Sequence, residues 1–168
     1  LPGADGAVLS PDGRRIAWLQ WDHPNMSWDG TRLWVASVDE AGDLHDARAV
    51  AGGDDESIEQ PRWLSDDRLV FLSDRSGWSN FYALDITGPG GAPGEGKPSG
   101  RAGEPVAPAP EERDFGQPRW VPDQSSYDLL PDGRIVTTRL DDGWTRVCLL
   151  DPATGDVSEV ATDVTGVA

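Results

Sequence analysis

The sequence predicts an all-β fold: about three four-stranded antiparallel blades of an incomplete β-propeller. Three observations lead there. First, one phrase recurs, as Leu9-Ser10-Pro11-Asp12-Gly13-Arg14-Arg15-Ile16-Ala17-Trp18, as Trp63-Leu64-Ser65-Asp66-Asp67-Arg68-Leu69-Val70-Phe71 and as Leu130-Pro131-Asp132-Gly133-Arg134-Ile135-Val136. Each copy is a tight turn followed by an alternating apolar run. The spacings, 54 residues from Asp12 to Asp66 and 66 from Asp66 to Asp132, suit a repeating unit of roughly 40–50 residues with loop insertions. Second, Gly77-Trp78 is echoed by Gly143-Trp144 at the same offset of 66, so the copies are repeats and not chance turns. Third, no stretch carries a helical period of useful length. Three units fall short of the four to eight blades that close a propeller, so the chain is expected to be part of a larger protein.

The elements follow in order. Gly6-Ala7-Val8-Leu9 is a short inner strand. Ser10-Pro11-Asp12-Gly13 is a turn, because proline presets φ and glycine accepts a positive φ. Arg15 to Trp21 alternates, with Ile16 and Trp18 on one side. The loop 22–30 leads to a strand over Thr31–Val38 and to a weaker one over Ala47–Val50. The second unit runs Ile58–Leu64, Arg68–Ser73 and Asn80–Asp85. The third offers Ser125–Leu130, Arg134–Arg139, Thr145–Leu150 and Asp156–Ala161. Blades are therefore expected near 6–50, 56–107 and 117–162, and Val164–Ala168 reads as the start of another inner strand. Residues 86–104 are too rich in glycine and proline to pack and are expected to form a flexible loop.

The 168 residues include 14 basic and 30 acidic ones, for a formal net charge of −16 at pH 7. Such a surface repels phosphate backbones, so neither nucleic acid nor an anionic membrane is an expected partner. The charge is spread along the chain, and solubility accounts for it. The balance of 37% hydrophobic and 26% charged residues, with eight tryptophans, is that of a globular domain. A single lysine, Lys97, among many Asp, Arg, Gly and Ala residues suits a high-GC bacterial source. The one cysteine, Cys148, sits in Val147-Cys148-Leu149-Leu150 as a small buried hydrophobe. No apolar run approaches 18 residues, and no signal peptide opens the chain; the expected location is the cytoplasm.

Strand alternation sorts the loops onto two faces. The Ser10–Gly13 type of turn shares one face with the 86–104 loop. The loops 22–30, 74–79 and 141–144 share the other with the crossovers 51–57 and 108–117. That second face gathers the candidate contact residues for a substrate or another domain: Trp21, His23, Asn25, Trp28, Trp78, Asn80 and Trp144, with Met26 beside them. The strand residues Trp18, Trp34, Trp63 and Trp120 are expected in the core between blades. His23 reads first as a loop-ordering residue, Asp74-Arg75 as a hairpin ion pair, and Glu56 and Glu59 as a solvated crossover.

No catalytic apparatus is legible. A serine hydrolase needs a nucleophile on a strained turn, a histidine base and an orienting acid, and neither His23 nor His45 neighbours a plausible nucleophile. Two histidines and one cysteine do not build a zinc site. Asp141-Asp142-Gly143 falls short of a calcium loop, and no phosphate-binding glycine pattern follows a strand. No catalytic residue, metal or cofactor is assigned.

Glu56-Ser57-Ile58-Glu59-Gln60-Pro61-Arg62-Trp63, followed by Phe71-Leu72-Ser73-Asp74-Arg75-Ser76-Gly77-Trp78-Ser79-Asn80-Phe81-Tyr82, resembles the propeller of prolyl oligopeptidase-family serine peptidases. The branch it most resembles is the bacterial dipeptidyl-aminopeptidase/acylaminoacyl-peptidase-like group. Trp21-Asp22-His23-Pro24-Asn25-Met26-Ser27-Trp28-Asp29-Gly30 and Gln117-Pro118-Arg119-Trp120-Val121 extend the match. The resemblance implies about three blades of an N-terminal propeller that caps an α/β-hydrolase domain. That domain carries the Ser-Asp-His triad, none of which lies here, and the cap admits short peptides while excluding folded proteins. The implied partners are the remaining blades, the hydrolase domain and a peptide substrate. Ser79 stands where the family often has a second aromatic residue after Trp78. A stand-alone TolB-like or WD-repeat-like binding module, closing its ring by homo-oligomerisation, remains the alternative.

Overall fold

The computed structural model describes residues 3–87, 103–116 and 125–161. Eleven strands lie among them and no helix. They are β1 (Gly3–Leu9), β2 (Arg15–Trp21), β3 (Arg32–Val38), β4 (Leu44–Gly52), β5 (Ile58–Ser65), β6 (Arg68–Ser73), β7 (Asn80–Asp85), β8 (Tyr127–Leu129), β9 (Ile135–Asp141), β10 (Trp144–Leu150) and β11 (Val157–Glu159). They form three sheets ordered β1-β2-β3-β4, β5-β6-β7 and β8-β9-β10-β11. The all-β, incomplete-propeller architecture read from the sequence is the observed one.

The predicted turns carry the register. In the first, Ser10 N donates to Arg15 O (2.9 Å), Gly13 N to Ser10 O (2.9 Å) and Arg14 N to Asp12 Oδ1 (3.0 Å). The third copy has the same three kinds of bond but closes one residue sooner: Leu130 N to Arg134 O (2.8 Å), Gly133 N to Leu130 O (2.9 Å) and Arg134 N to Asp132 Oδ1 (3.1 Å). Gly13 and Gly133 have φ of 70° and 86°, a region that favours glycine. The second copy is shorter, leaving Asp66-Asp67 between β5 and β6, and its polar groups turn towards the first. Asp66 Oδ1 accepts Asp12 N (2.9 Å), Asp66 O accepts Arg15 Nη1 (2.9 Å), and Asp67 pairs with Arg15 at 2.8 Å.

The chain gathers into two compact units, Leu1–Phe71 with Ala83–Val106 and Leu72–Tyr82 with Ala107–Ala168. In the first, one face of β2 and β3 is fully buried through Ala17, Leu19, Leu33 and Val35, which pair as Ala17↔Val35 and Leu19↔Leu33. Ile58, Trp63, Leu69, Val70 and Phe71 belong to the same unit's core, and the Trp63 indole N–H donates to Val8 O at 3.1 Å. In the second, Phe81 is the centre: Phe115 packs against it at 5.4 Å and Tyr127 meets it edge-on at 4.9 Å. Ile135, Cys148 and Leu150 complete that core. Cys148 is buried and unpaired as expected, and burial raises its thiol pKa.

Four readings need correction or narrowing. β1 is longer than expected and bulges between Asp5 and Val8, at Gly6 with φ of 67°. β4 is a nine-residue strand and not a four-residue one. Its sequence looks weak because it is exposed along most of its length, and ladder bonds to β3, not burial, hold it. The fourth strand of the middle sheet reduces, among the described residues, to a bridge in which Ala83 and Val106 exchange two 2.9 Å bonds. Trp18 and Trp34 were expected in the core. Instead they stack on each other at 6.0 Å, half-buried, on the face of the sheet opposite Leu19 and Leu33. Alternation put them on one side correctly, but it does not say which side is covered. Trp120, the Gln117–Val121 motif, the Val164–Ala168 strand and the middle of the 86–104 loop lie outside the described residues. The ends of that loop are held by Ile86 N to Asp67 O and Gly103 N to Asp85 O, both 2.9 Å.

Leu33→Ala should cost about 2–5 kcal/mol of unfolding free energy, because Leu33 is 0% exposed. Leu44→Ala, at a side chain 51% exposed, should stay within about 0.5 kcal/mol. Denaturant titration of the two variants checks this, and equal losses would overturn the assigned face.

The β3–β4 turn supplies a pH test. His45 Nε2 meets Asp39 Oδ2 at 2.7 Å on the surface, and that hydrogen bond raises the imidazole pKa and lowers the carboxyl's. A raised folded-state histidine pKa stabilises below the unfolded value and is lost as pH climbs through the folded one. The depressed Asp39 contributes above its unfolded pKa and fails as pH falls through its folded one. The pair therefore works between these two limits. In an NMR titration the His45 midpoint should lie above the usual imidazole value and drop in Asp39→Ala.

Candidate functional site

Each unit carries loops that hold candidate residues. In the first, the β2–β3 loop closes on itself through Asn25 N to Asp22 O (3.0 Å), Asp29 N to Met26 O (3.1 Å) and Met26 N to Asp29 Oδ2 (2.9 Å). It is pinned to the 53–56 crossover by Thr31 N to Glu56 O (2.8 Å), by the Asn25 amide to Asp54 O (3.4 Å) and by Arg32, which pairs with Asp54 at 2.5 Å and Asp22 at 3.5 Å. Gly30 and Gly52 permit this approach: a Cβ would overlap the Asp54 carbonyl from Gly30 and the Thr31 carbonyl from Gly52. Asn25 thus orders the loop. Trp21 lies over Gly3, where a Cβ would strike its indole. His23, ahead of a cis His23–Pro24 bond, and Trp28 are exposed.

In the second unit Asn80 does the ordering. It is 1% exposed, and its amide donates to Glu111 O (3.0 Å) and Arg113 O (3.2 Å) while Glu111 N donates to its Oδ1 (2.8 Å). Beside it, Asp114 Oδ1 accepts Ser79 N (2.7 Å), Ser79 O accepts Phe115 N (2.7 Å), and Leu140 N donates to Asp114 O (2.9 Å). The 111–116 crossover is therefore stitched between the start of β7 and the end of β9. Asn80 is a positioning residue with every amide group engaged.

That stitching concentrates charge. Arg139, largely buried, pairs with Glu111 at 3.2 Å and Asp141 at 3.8 Å. Arg113 reaches the same two carboxylates at 3.4 and 3.0 Å. The Glu111 hydrogen bond and the Asp141 charge raise the pKa of its guanidinium, so it stays a cation. The β9–β10 turn, Asp142-Gly143 with φ of 48° and 82°, is the aspartate–glycine pair that two-residue hairpins favour. It brings Leu140, Asp142 and Gly143 beside Trp78, Glu112, Arg113 and Asp114 around an open cleft of about 480 Å³. Trp144 is exposed on the same hairpin but does not line it. Among the candidates, then, the cleft includes Trp78, is positioned by Asn80 and excludes Trp144. Glu111, Arg113 and Arg139 were missed, and the dense charge of Glu111-Glu112-Arg113-Asp114 was the signal.

No family model matches the sequence, and no curated protein matches it. Solved structures do. A puromycin-hydrolysing peptidase from Mycobacterium tuberculosis superposes with a TM-score of 0.80 at 33% identity over 97% of this chain and 22% of its own. A puromycin hydrolase gives the same values. Over nearly its whole length the chain is therefore similar to a fragment of these puromycin-hydrolysing enzymes. Prolyl oligopeptidase B from Galerina marginata, in complex with a 25mer macrocyclization substrate, shares the fold at a TM-score of 0.71 with 16% identity, over 99% of this chain and 20% of its own. The chain thus spans about a fifth of the length of these structures. Among the described residues no helix is long and apolar enough to cross a membrane, and no cluster of His, Cys, Asp and Glu is placed to hold a metal.

Replacing Asn80 with leucine strands two carbonyls and one N–H and should cost about 1–3 kcal/mol. Hydrogen exchange at the Glu111 amide should quicken, whereas Ser76→Ala, at an exposed turn, should leave it unchanged. An unaltered Glu111 rate in Asn80→Leu would remove Asn80 from its positioning role.

Proposed function

We propose that this chain is the non-catalytic propeller portion of a serine peptidase that acts on short peptides. It gates entry to an α/β-hydrolase domain of the same protein and docks on it. The observation that carries this reading is the 33% identity to a puromycin-hydrolysing peptidase across 97% of the chain, which accounts for only 22% of that enzyme. The remaining length of such a relative has room for further blades and a catalytic domain.

The residues support a gating part over a chemical one. The sequence holds two histidines; His45 is tied to Asp39 on a surface turn and His23 lies in an exposed loop. Strands β6 and β7, buried on both faces, and loops pinned by Asn25 and Asn80 are stiff parts. A stiff frame around an entrance selects by size, since a folded protein cannot pass an opening that a flexible peptide can.

The full-length gene product should be labelled by a fluorophosphonate at a mass well above the 18.1 kDa of this chain. It should cleave short peptides and spare a folded protein that contains the same bond. An unlabelled product would overturn the peptidase reading and leave a binding module. A labelled product that cuts both substrates equally would overturn the gate.

A further inference from the structure

We propose that the Trp78–Leu140 cleft binds a lysine or arginine side chain carried by a short peptide. The idea that such a peptide is a substrate rests on the peptidase reading above; the binding itself does not.

The argument starts from the walls. Trp78 and Leu140 are 41% and 43% exposed, large apolar side chains left facing a cleft of about 480 Å³. That volume lies within the range of small-molecule sites and exceeds one side chain, so a residue and its neighbour fit. An indole face attracts a cation, and an apolar wall suits the methylene stem behind it.

Charge selects the sign. The lining holds one cation, Arg113, against Glu112, Asp114 and Asp142. Arg113 is already matched by Glu111 and Asp141, which leaves the three lining carboxylates in excess. Asp114 has one oxygen committed to Ser79 N. Glu112 and Asp142 are exposed, and neither forms an ion pair among the described residues. A carboxylate ligand would meet this excess as repulsion and a neutral apolar one would leave it unmatched. A basic side chain satisfies both the aromatic–aliphatic wall and the acidic rim.

The test uses the full-length gene product and two probes, acetyl-leucyl-lysine amide and acetyl-leucyl-norleucine amide, compared by calorimetry. Both probes lack a free amino terminus, so only the side chain differs. The lysine probe should bind about tenfold tighter, equivalent to roughly 1.4 kcal/mol. Glu112→Gln combined with Asp142→Asn should erase that preference. Both substitutions are at exposed positions, and asparagine tolerates the positive φ at 142, so the fold is kept. Equal affinity of the two probes, or a lysine preference that survives the double variant, would overturn the proposal. Fluorophosphonate labelling read on the same samples keeps the two readings apart. A variant that labels normally but has lost the preference supports the cleft, and an unlabelled protein that retains the preference supports it without the peptidase.

Discussion

The register of the inner hairpins is the constraint on which the rest depends. Side chains alternate with a period of two, so a one-residue slip of β2 against β1 would turn Leu19 outwards and Trp18 inwards. What prevents the slip is the turn at each hairpin's end. In the Ser10–Arg15 and Leu130–Arg134 turns, two backbone bonds and one carboxylate fix which residue faces which. The two-residue Asp66-Asp67 turn, too short to repeat this internally, instead lends its groups to Asp12 and Arg15 of the same unit.

Turn chemistry also explains much of the acidity. Asp12, Asp39, Asp132 and Asp151 each accept backbone N–H groups within their own turns, an ordinary use of a short carboxylate. Hydrogen bonding holds the Asp12, Asp39 and Asp132 carboxyls below their usual pKa, led by Ser10, His45 and Arg134 respectively, so they stay ionised and keep accepting. Asp22, Asp54, Glu111 and Asp141 are occupied by arginines. A net charge of −16 therefore says less about partners than the few carboxylates without such an occupation, and Glu112 and Asp142 are two of these.

The legible parts of the sequence were those governed by local rules. The glycine and aspartate of Pro11-Asp12-Gly13 and Pro131-Asp132-Gly133 announce their turns, and the alternation from Arg15 to Trp21 announces a strand. Less legible was anything decided by contacts far along the chain. β4 has too little apolar character to be read as nine residues, because its pairing with β3 replaces a pattern of its own. Trp18 and Trp34 stack across two strands, yet nothing local tells a half-covered face from a core. Asn80 resembles any loop-edge asparagine until Glu111 and Arg113, some thirty residues on, supply the groups its amide binds. Of the candidate site, the loops and Trp78 were visible beforehand, whereas the crossover that completes the cleft was not.

The cleft combines local and long-range parts. Its apolar wall comes from a hairpin turn and a strand end, Trp78 and Leu140, whose positions follow from register. Its acidic rim comes from Glu112 on the crossover and Asp142 on a tight turn, whose positions follow from Asn80 and from the aspartate–glycine geometry. Asn80 is buried with its whole amide bonded, so it tolerates little change. The rim residues are exposed, and substituting them costs little stability. Recognition can therefore be altered at Glu112 and Asp142 without disturbing the sheets, while a change at Asn80 would move the rim and the wall relative to each other. Preorganisation of this kind keeps the ordering cost of binding on the ligand, where a flexible peptide bears most of it.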